Sequence, residues 1–231
     1  MKRLVLSCTF ALGLLFSSAS LTAQTAMPQA TVKTPEGAND PQAHAYLSKT
    51  RKWLNACKSI EFRFSAAMLE NGSDKPSDSR RGSILIQGNR YRLITGADEY
   101  YCNGKELWAY SPALKEVAVY DCNESLSDMN PAVLLQDYEK HYRAKYIRQQ
   151  TIDGSARNII DLTPIEKAEV LKIRIYLNNS DNRIFKMEMY LPQNHRFDYK
   201  ILSIQENVSV SESDFVFDSK KYPQVQINDM R

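Results

Sequence analysis

The chain has 231 residues, of which 30 are Lys or Arg and 27 are Asp or Glu, so its formal net charge is +3. Lys2 and Arg3 lie in an N-terminal segment that we expect to be removed, and the remaining protein is nearly neutral, which argues against nucleic acid as a partner. The length suits one domain, since single β-domains commonly reach roughly 200 residues or more.

Residues 1–23 have the order of a secretory signal peptide. Lys2 and Arg3 precede a short apolar run over residues 4–16, and small residues follow over residues 17–23. The apolar run is shorter than the roughly 20 residues that span a bilayer. We expect cleavage after Ala23, with Ala19 or Ser20 as alternatives. Because Cys8 lies inside the apolar run rather than at its end, we expect a soluble periplasmic product without a lipid anchor.

A helix is predicted next to a flexible leader. Residues 24–39 are rich in Thr, Pro, Gln and Ala, which is typical of a leader, so we expect a single domain over residues 40–231. Asp40-Pro41 predicts a helix start, because Asp caps helices and Pro is favoured at the first helical position. Apolar residues then recur at spacings of three and four as far as Cys57, which predicts an amphipathic helix.

After Lys58 the apolar residues alternate with polar ones, which indicates half-buried strands. Asn103-Gly104 is the strongest hairpin signal, and Asp153-Gly154 marks another. Asn130-Pro131 predicts a second helix start. Strands are predicted from residue 143 onward and over residues 60–68, 82–87, 90–94, 99–102, 105–110, 117–120, 171–177, 185–191 and 196–204.

The order of these elements predicts the fold class. Phe215–Phe217 and a tail through Tyr222-Pro223 close the domain. Short turns and one apolar face per strand predict a mainly β protein, in which about ten antiparallel strands curl and two or three helices cover the inner face. Strict alternation places the following residues on that face: Phe62, Phe64, Tyr91, Leu93, Ile173, Ile175, Met187 and Met189.

The sequence contains no pattern that indicates catalysis or metal binding. His44, His141 and His195 are far apart, and none has a possible metal ligand at helical or turn spacing. There is also no nucleophile elbow, phosphate loop or dinucleotide fingerprint. We therefore expect no enzyme activity, no metal and no cofactor. The methionines Met68 and Met187 fit either an ordinary core or an adaptable apolar binding surface.

Three cysteines remain after the signal peptide: Cys57, Cys102 and Cys122. Export permits disulfides. Cys102 and Cys122 are expected at the same edge of the predicted sheet with one strand between them, and Cα atoms more than about 7 Å apart cannot be bridged without movement. The sequence leaves two alternatives open, a Cys102–Cys122 disulfide and three free thiols.

Residues 82–135 carry a family resemblance. The segments that carry it are Gly82-Ser-Ile-Leu-Ile, Arg90-Tyr-Arg-Leu93, Tyr101-Cys-Asn-Gly-Lys-Glu-Leu-Trp-Ala-Tyr-Ser-Pro112 and Asn130-Pro-Ala-Val-Leu-Leu135. This resembles the outer-membrane lipoprotein carrier family, LolA. The resemblance implies an incomplete, strongly curved β-barrel with a helical lid over an apolar cavity. It also implies transport of acylated lipoproteins from an inner-membrane release complex to an outer-membrane receptor. We expect a monomer.

The resemblance also implies site residues. Tyr91 and Leu93 match the aromatic pair of the family. Its central hairpin strand is matched by Leu107, Trp108 and Tyr110, and its lid helix is matched by Leu134 and Leu135. The predicted lipid-binding set is completed by Phe62, Phe64, Met68, Val133, Ile173, Ile175, Met187 and Met189. Since three consecutive apolar residues cannot all face one side of a helix, we expect at least one residue of 133–135 to point away from the sheet or into a gap beneath the lid.

One segment departs from the family pattern. Family members have Lys-Arg-Pro at the end of a strand, and that Arg bonds to the lid and holds it shut. Here Gln87-Gly88-Asn89 stands in its place, and Arg90 or Arg92 are the candidates for the same role. The same fold also serves as an envelope sensor and as a carrier for other lipids, so both remain alternatives to the lipoprotein carrier.

Overall fold

The computed structural model describes residues 40–231 except 71, 74, 123–130 and 137, and gives only the backbone for residues 131–133. The predicted signal peptide and leader lie outside the described residues. The described helices are α1 Pro41–Ala56, α2 Pro131–Gln136 and α3 Tyr138–His141. The described strands are β1 Ile60–Leu69, β2 Asp78–Gln87, β3 Arg90–Thr95, β4 Asp98–Cys102, β5 Glu106–Ser111, β6 Glu116–Asp121, β7 Tyr142–Ile152, β8 Ser155–Pro164, β9 Lys172–Asn178, β10 Ile184–Tyr190, β11 Arg196–Glu206 and β12 Gln226–Asp229.

Helix α1 begins where the sequence predicts. The Asp40 carboxylate accepts hydrogen bonds from the backbone N–H groups of Gln42, at 2.9 Å, and Ala43, at 3.4 Å, so it caps two of the first free donors of the helix. Its second oxygen accepts from the N–H of Tyr146 in β7, at 2.9 Å. One side chain therefore starts the helix and fixes that start to the edge of the sheet.

The strands form one curved and open sheet in the order β12-β6-β5-β4-β3-β2-β1-β11-β10-β9-β8-β7. All pairs are antiparallel except β12 and β6, which are parallel. The curved, mainly β fold is confirmed, although the described sheet has twelve strands rather than about ten. Strand β12 was not predicted, because its four residues include a single apolar side chain and its pairing with β6 is not local.

Two glycines occupy positions where a side chain would be unfavourable, one in a turn and one in a strand. Gly104 has φ +92°, a left-handed conformation that glycine adopts without strain, in the predicted Asn103-Gly104 turn between β4 and β5. Gly82 lies opposite Phe64 across the β1–β2 pair. A Cβ on Gly82 would come within 2.6 Å of the Phe64 ring, so the absence of a side chain lets that ring lie against the neighbouring strand.

The sheet has two chemically different faces. The eight residues predicted from alternation to lie on the inner face are all buried in one apolar cluster, which confirms the predicted register. Cross-strand pairing explains this result, since Ile175 lies opposite Met187 on one side and Ile160 on the other. Their polar neighbours Arg174 and Glu188 are paired with each other on the outer face.

Two cysteines at the ends of strands lie close together. Cys102 ends β4 and Cys122 follows β6, and the structure joins them in a disulfide with Cα atoms 6.2 Å apart. This separation lies within the range that a disulfide can bridge. The Cys57 thiol, at the end of α1, is free and half-buried.

Candidate functional site

A continuous apolar layer lies between the inner face of the sheet and the helices. Leu47 and Leu54 of α1 and Leu135 of α2 are buried in the same cluster as side chains from nine strands. The predicted residues in this cluster are Phe62, Phe64, Tyr91, Leu93, Leu107, Leu134, Leu135, Ile173, Ile175, Met187 and Met189. These eleven residues are fewer than half of the 25 buried residues of the cluster. Alternation was the signal for those on the predicted inner face, and the family resemblance was the signal for Leu107, Leu134 and Leu135.

Met68 and Val133 have a different outcome from the other predicted residues. Met68 lies on the same side of β1 as Phe64 but is only partly buried near the end of the strand. The side chain of Val133 lies outside the described residues. Leu134 and Leu135 are both buried, with 5% and 0% of their surface exposed, so neither of these two points away from the protein.

Trp108 was predicted to belong to the lipid-binding set on the inner face, but it lies on the outer face. Its neighbour Leu107 points into the inner layer and is fully buried, and successive side chains of a strand point to opposite faces. Trp108 therefore packs on the outer face in a second cluster with Tyr101 and Phe217. The family motif indicated that this strand contributes to the binding site, but only the alternation of side chains along the strand shows which residues point to each face.

Sequence reasoning missed part of the apolar layer in β11. Phe197, Tyr199 and Ile201 are partly buried against the inner cluster. Tyr199 lies opposite Met187, and its ring is 5.9 Å from that of Phe64. These three residues alternate with charged ones, which is the same signal that located the other strands. They form a partly exposed part of the layer in the middle of the sheet, because β11 lies between β1 and β10.

Helices α2 and α3 are held to α1 by polar contacts, which we name the helix clamp: Arg51 and His44 of α1 with Gln136, Tyr138 and Glu139. Arg51 donates to the Gln136 carbonyl, at 3.1 Å, and to both Glu139 carboxylate oxygens, at 3.1 and 3.2 Å. Arg51 therefore closes the end of α2 and binds α3 with one side chain.

The second half of the helix clamp is a buried tyrosine. The Tyr138 hydroxyl is hydrogen-bonded to His44 Nδ1, and the imidazole Nε2 lies 3.8 Å from Glu139. Burial, and then the charge of Glu139, raises the pKa of Tyr138 to about 12. The hydroxyl therefore keeps its proton at neutral pH and remains able to bond to His44.

Neither candidate for the family's lid-binding Arg is placed against α2 in the described part of the chain. Arg90 is hydrogen-bonded to Gln87 and lies over the Phe215 ring, at 5.0 Å from the ring centre. Arg92 forms an ion pair with Asp214, at 3.2 Å. Both arginines therefore fasten the C-terminal segment to the outer face, and Arg51 of α1 makes the contact with α2.

The outer face of β8–β11 carries paired charges. Arg174 donates to both oxygens of Asp161, at 2.6 and 2.8 Å. Lys186 contacts Glu188 at 2.7 Å and Asp198 at 2.8 Å. Burial disfavours the Glu188 carboxylate, but hydrogen bonds from Lys186 and Tyr190 outweigh it and lower its pKa. The Glu188 carboxylate is therefore held ionised by structural partners.

Within the described ranges, no group of three or more His, Cys, Asp or Glu side chains is arranged to hold a metal ion. The helices of the same residues include none that is long and apolar enough to cross a membrane.

Comparison with known proteins places the chain in a family. No curated protein matches the sequence. An uncharacterized conserved protein from Thermus thermophilus has the same fold, with a TM-score of 0.57 and 9% identity over 81% of this chain and 99% of its own. A LolA superfamily protein from Nitrosomonas europaea is 15% identical, with a TM-score of 0.44 over 76% of this chain and 97% of its own. The lipoprotein LppX from Mycobacterium tuberculosis is 10% identical, with a TM-score of 0.46 over 75% of this chain and 100% of its own.

The family model that matches is that of the outer membrane lipoprotein carrier protein LolA, over residues 99–218, which is more than half of the chain. The matched residues extend from β4 through α2 and α3 to the segment after β11. The chain therefore belongs to the LolA family.

Proposed function

We propose that this protein carries the acyl chains of lipoproteins on its inner apolar layer, beneath α1 and α2, and delivers them to the outer membrane. The observation that carries the proposal is the continuous buried layer of Leu, Ile, Phe and Met side chains under short helices that polar contacts hold in place. Membership in the LolA family supports it. The partners we infer are acylated lipoproteins, an inner-membrane release complex and an outer-membrane receptor.

The physical problem of such a carrier is the exposure of methylene groups to water. Each buried methylene contributes about 0.8 kcal/mol, so three acyl chains with roughly forty methylenes would cost on the order of 30 kcal/mol to expose. A protein in an aqueous compartment can offset this only with a dry apolar surface. Met187 and Met189 in the layer adapt their shape to different chains.

Binding is tested with delipidated protein and a fluorescent triacylated lipopeptide. We expect Leu135→Glu to lower the affinity at least tenfold, because a carboxylate would enter the apolar layer at several kcal/mol. The matched control is Leu114→Glu, whose parent side chain is 59% exposed. Circular dichroism checks that both variants keep the sheet. An affinity in Leu135→Glu equal to that of the control would contradict the proposed binding layer.

Delivery is tested separately from binding. Loaded protein is mixed with vesicles prepared from outer membranes, which hold the inferred receptor, and transfer of the lipopeptide is followed by its fluorescence. We expect transfer on mixing, because a carrier must release its cargo. Tight binding without transfer would refute the carrier role and favour the envelope-sensor alternative.

We further infer that the protein acts in the periplasm after export, because residues 1–23 have the order of a signal peptide. N-terminal sequencing of protein recovered from the periplasmic fraction should begin at Gln24. Recovery of the uncleaved chain from the cytoplasm would contradict this localisation.

A further inference from the structure

Asn158 is a polar residue on the inner apolar face. It lies on β8 two residues before Ile160, whose side chain belongs to the apolar layer, and none of its surface is exposed. Its Nδ2 donates to Asn179 Oδ1, at 3.1 Å. With Nδ2 used in this bond, Oδ1 is the remaining polar atom of the side chain, and it has no hydrogen-bond partner among the described residues. A buried carbonyl without a donor is unfavourable and calls for a physical explanation.

A second acceptor of the same kind lies in the adjacent hairpin turn. Asn182 Oδ1 is also buried without a hydrogen-bond partner in the described part of the chain. The backbone carbonyl of Asn182 accepts from the fully buried Thr50 Oγ1 of α1, at 2.8 Å. Asn179, which binds Asn158, belongs to the same turn between β9 and β10. The two free oxygens are therefore associated with one turn, which α1 covers.

The chemistry of these oxygens selects the kind of group that complements them. Both are neutral acceptors, so a carboxylate or phosphate would be repelled, whereas an N–H or O–H group would satisfy them. The apolar side chains beside Asn158 suit a hydrocarbon chain. A ligand that matches both properties has an acyl chain and, next to it, a hydrogen-bond donor such as an amide N–H or a hydroxyl.

We propose that Asn158 and Asn182 form an acceptor site for the donor group at the head of an acyl ligand, so that the protein distinguishes acyl amides and acyl alcohols from acyl chains without a donor. This proposal rests on the proposed function, because it assumes that acyl chains bind the inner layer. It adds the class of head group that is preferred and the residues that select it.

The test compares two ligands that differ in one donor, N-methyldodecanamide and N,N-dimethyldodecanamide. Their affinities for the delipidated protein are measured by displacement of a fluorescent fatty-acyl probe. We expect the parent protein to prefer the ligand with the N–H by about tenfold, since one satisfied buried acceptor is worth roughly that factor. In Asn158→Leu the preference should fall to about one, while the dimethyl ligand still binds.

Two further variants keep the test decisive. Asn182→Gly removes the second oxygen and retains the backbone, because Asn182 has φ 58°, and it should also reduce the preference. Gln150→Leu replaces an amide on β7 that is exposed, and it should keep the parent's preference. Equal affinity of the parent for both ligands would overturn the acceptor site and leave acyl binding standing, with water as the partner of the two oxygens. A preference that survives in both Asn variants would likewise overturn it. Failure of both ligands to bind would reject the proposed function itself.

Discussion

Arg51 is the side chain whose replacement should most directly loosen the cover of the apolar layer. It joins α1 to the end of α2 through the Gln136 carbonyl and to α3 through Glu139. We expect Arg51→Met to leave the sheet and α1 folded, because methionine retains helix propensity and apolar packing. What should change is the equilibrium between docked and undocked α2 and α3.

The magnitude follows from the exposure of the pair. The side chains of Arg51 and Glu139 are 27% and 28% exposed, so solvent screens their attraction in part, and such pairs contribute about 0.2–1 kcal/mol. The hydrogen bond to the Gln136 carbonyl adds about 1 kcal/mol. A loss of about 1–2 kcal/mol raises the population of the undocked helices by a factor of roughly 5–30.

Hydrogen exchange measures this change directly. Amides of α2 and α3 in Arg51→Met should exchange faster by that factor, and the acyl probe should enter the protein faster. Lys52→Met is the matched control, because Lys52 is an exposed cation on the same helix. Exchange rates in Arg51→Met equal to those in the control would refute the role of the helix clamp.

Three other predictions concern pH, the two faces and the thiols. The pKa of Glu188 in the folded protein is below its ordinary value of 4.5. The ionised carboxylate therefore stabilises the fold above pH 4.5, and this stabilisation is lost as the pH falls through the folded pKa. In Glu188→Gln the free energy of unfolding should consequently decrease less steeply in acid. A brominated acyl ligand should quench the fluorescence of Trp53, which packs against the inner layer, but not that of Trp108. The two are compared in variants that each retain one of these tryptophans, and equal quenching would contradict the assignment of faces. Peptide mapping without reductant should recover Cys102 linked to Cys122, and two alkylated thiols would count against the bond.

Local patterns predicted the features that depend on neighbours in sequence. Asp40-Pro41 marked the start of α1, and strict alternation assigned Ile173 and Met187 to the inner face. Both signals arise from geometry that repeats every two to four residues. The same signal was present in β11, where Phe197 lies, and it would have extended the predicted layer.

Features that depend on distant residues were not predictable in this way. Arg51 binds partners 85 and 88 residues away, and no spacing rule connects such positions. The parallel pairing of β12 with β6 joins residues 226–229 to 116–119. Trp108 was assigned from a family motif that does not distinguish the two faces of a strand. For Arg51 and β12 tertiary packing, and not local propensity, decided the outcome, whereas the alternation of side chains along β5 separates Trp108 from Leu107.

The contacts that hold the cover differ in kind from those that hold the sheet. Each inner strand is paired on both sides, whereas α2 and α3 have six and four residues and are too short to be stable alone. Their position depends on Leu134, Leu135 and Tyr138 in the apolar layer and on a polar helix clamp that is partly exposed. Segments with few buried contacts open at a lower free energy than the core of a fold. Undocking of α2 and α3 would expose the apolar layer while the sheet stays intact, and a carrier that must both shield and release an acyl chain requires that difference in stability.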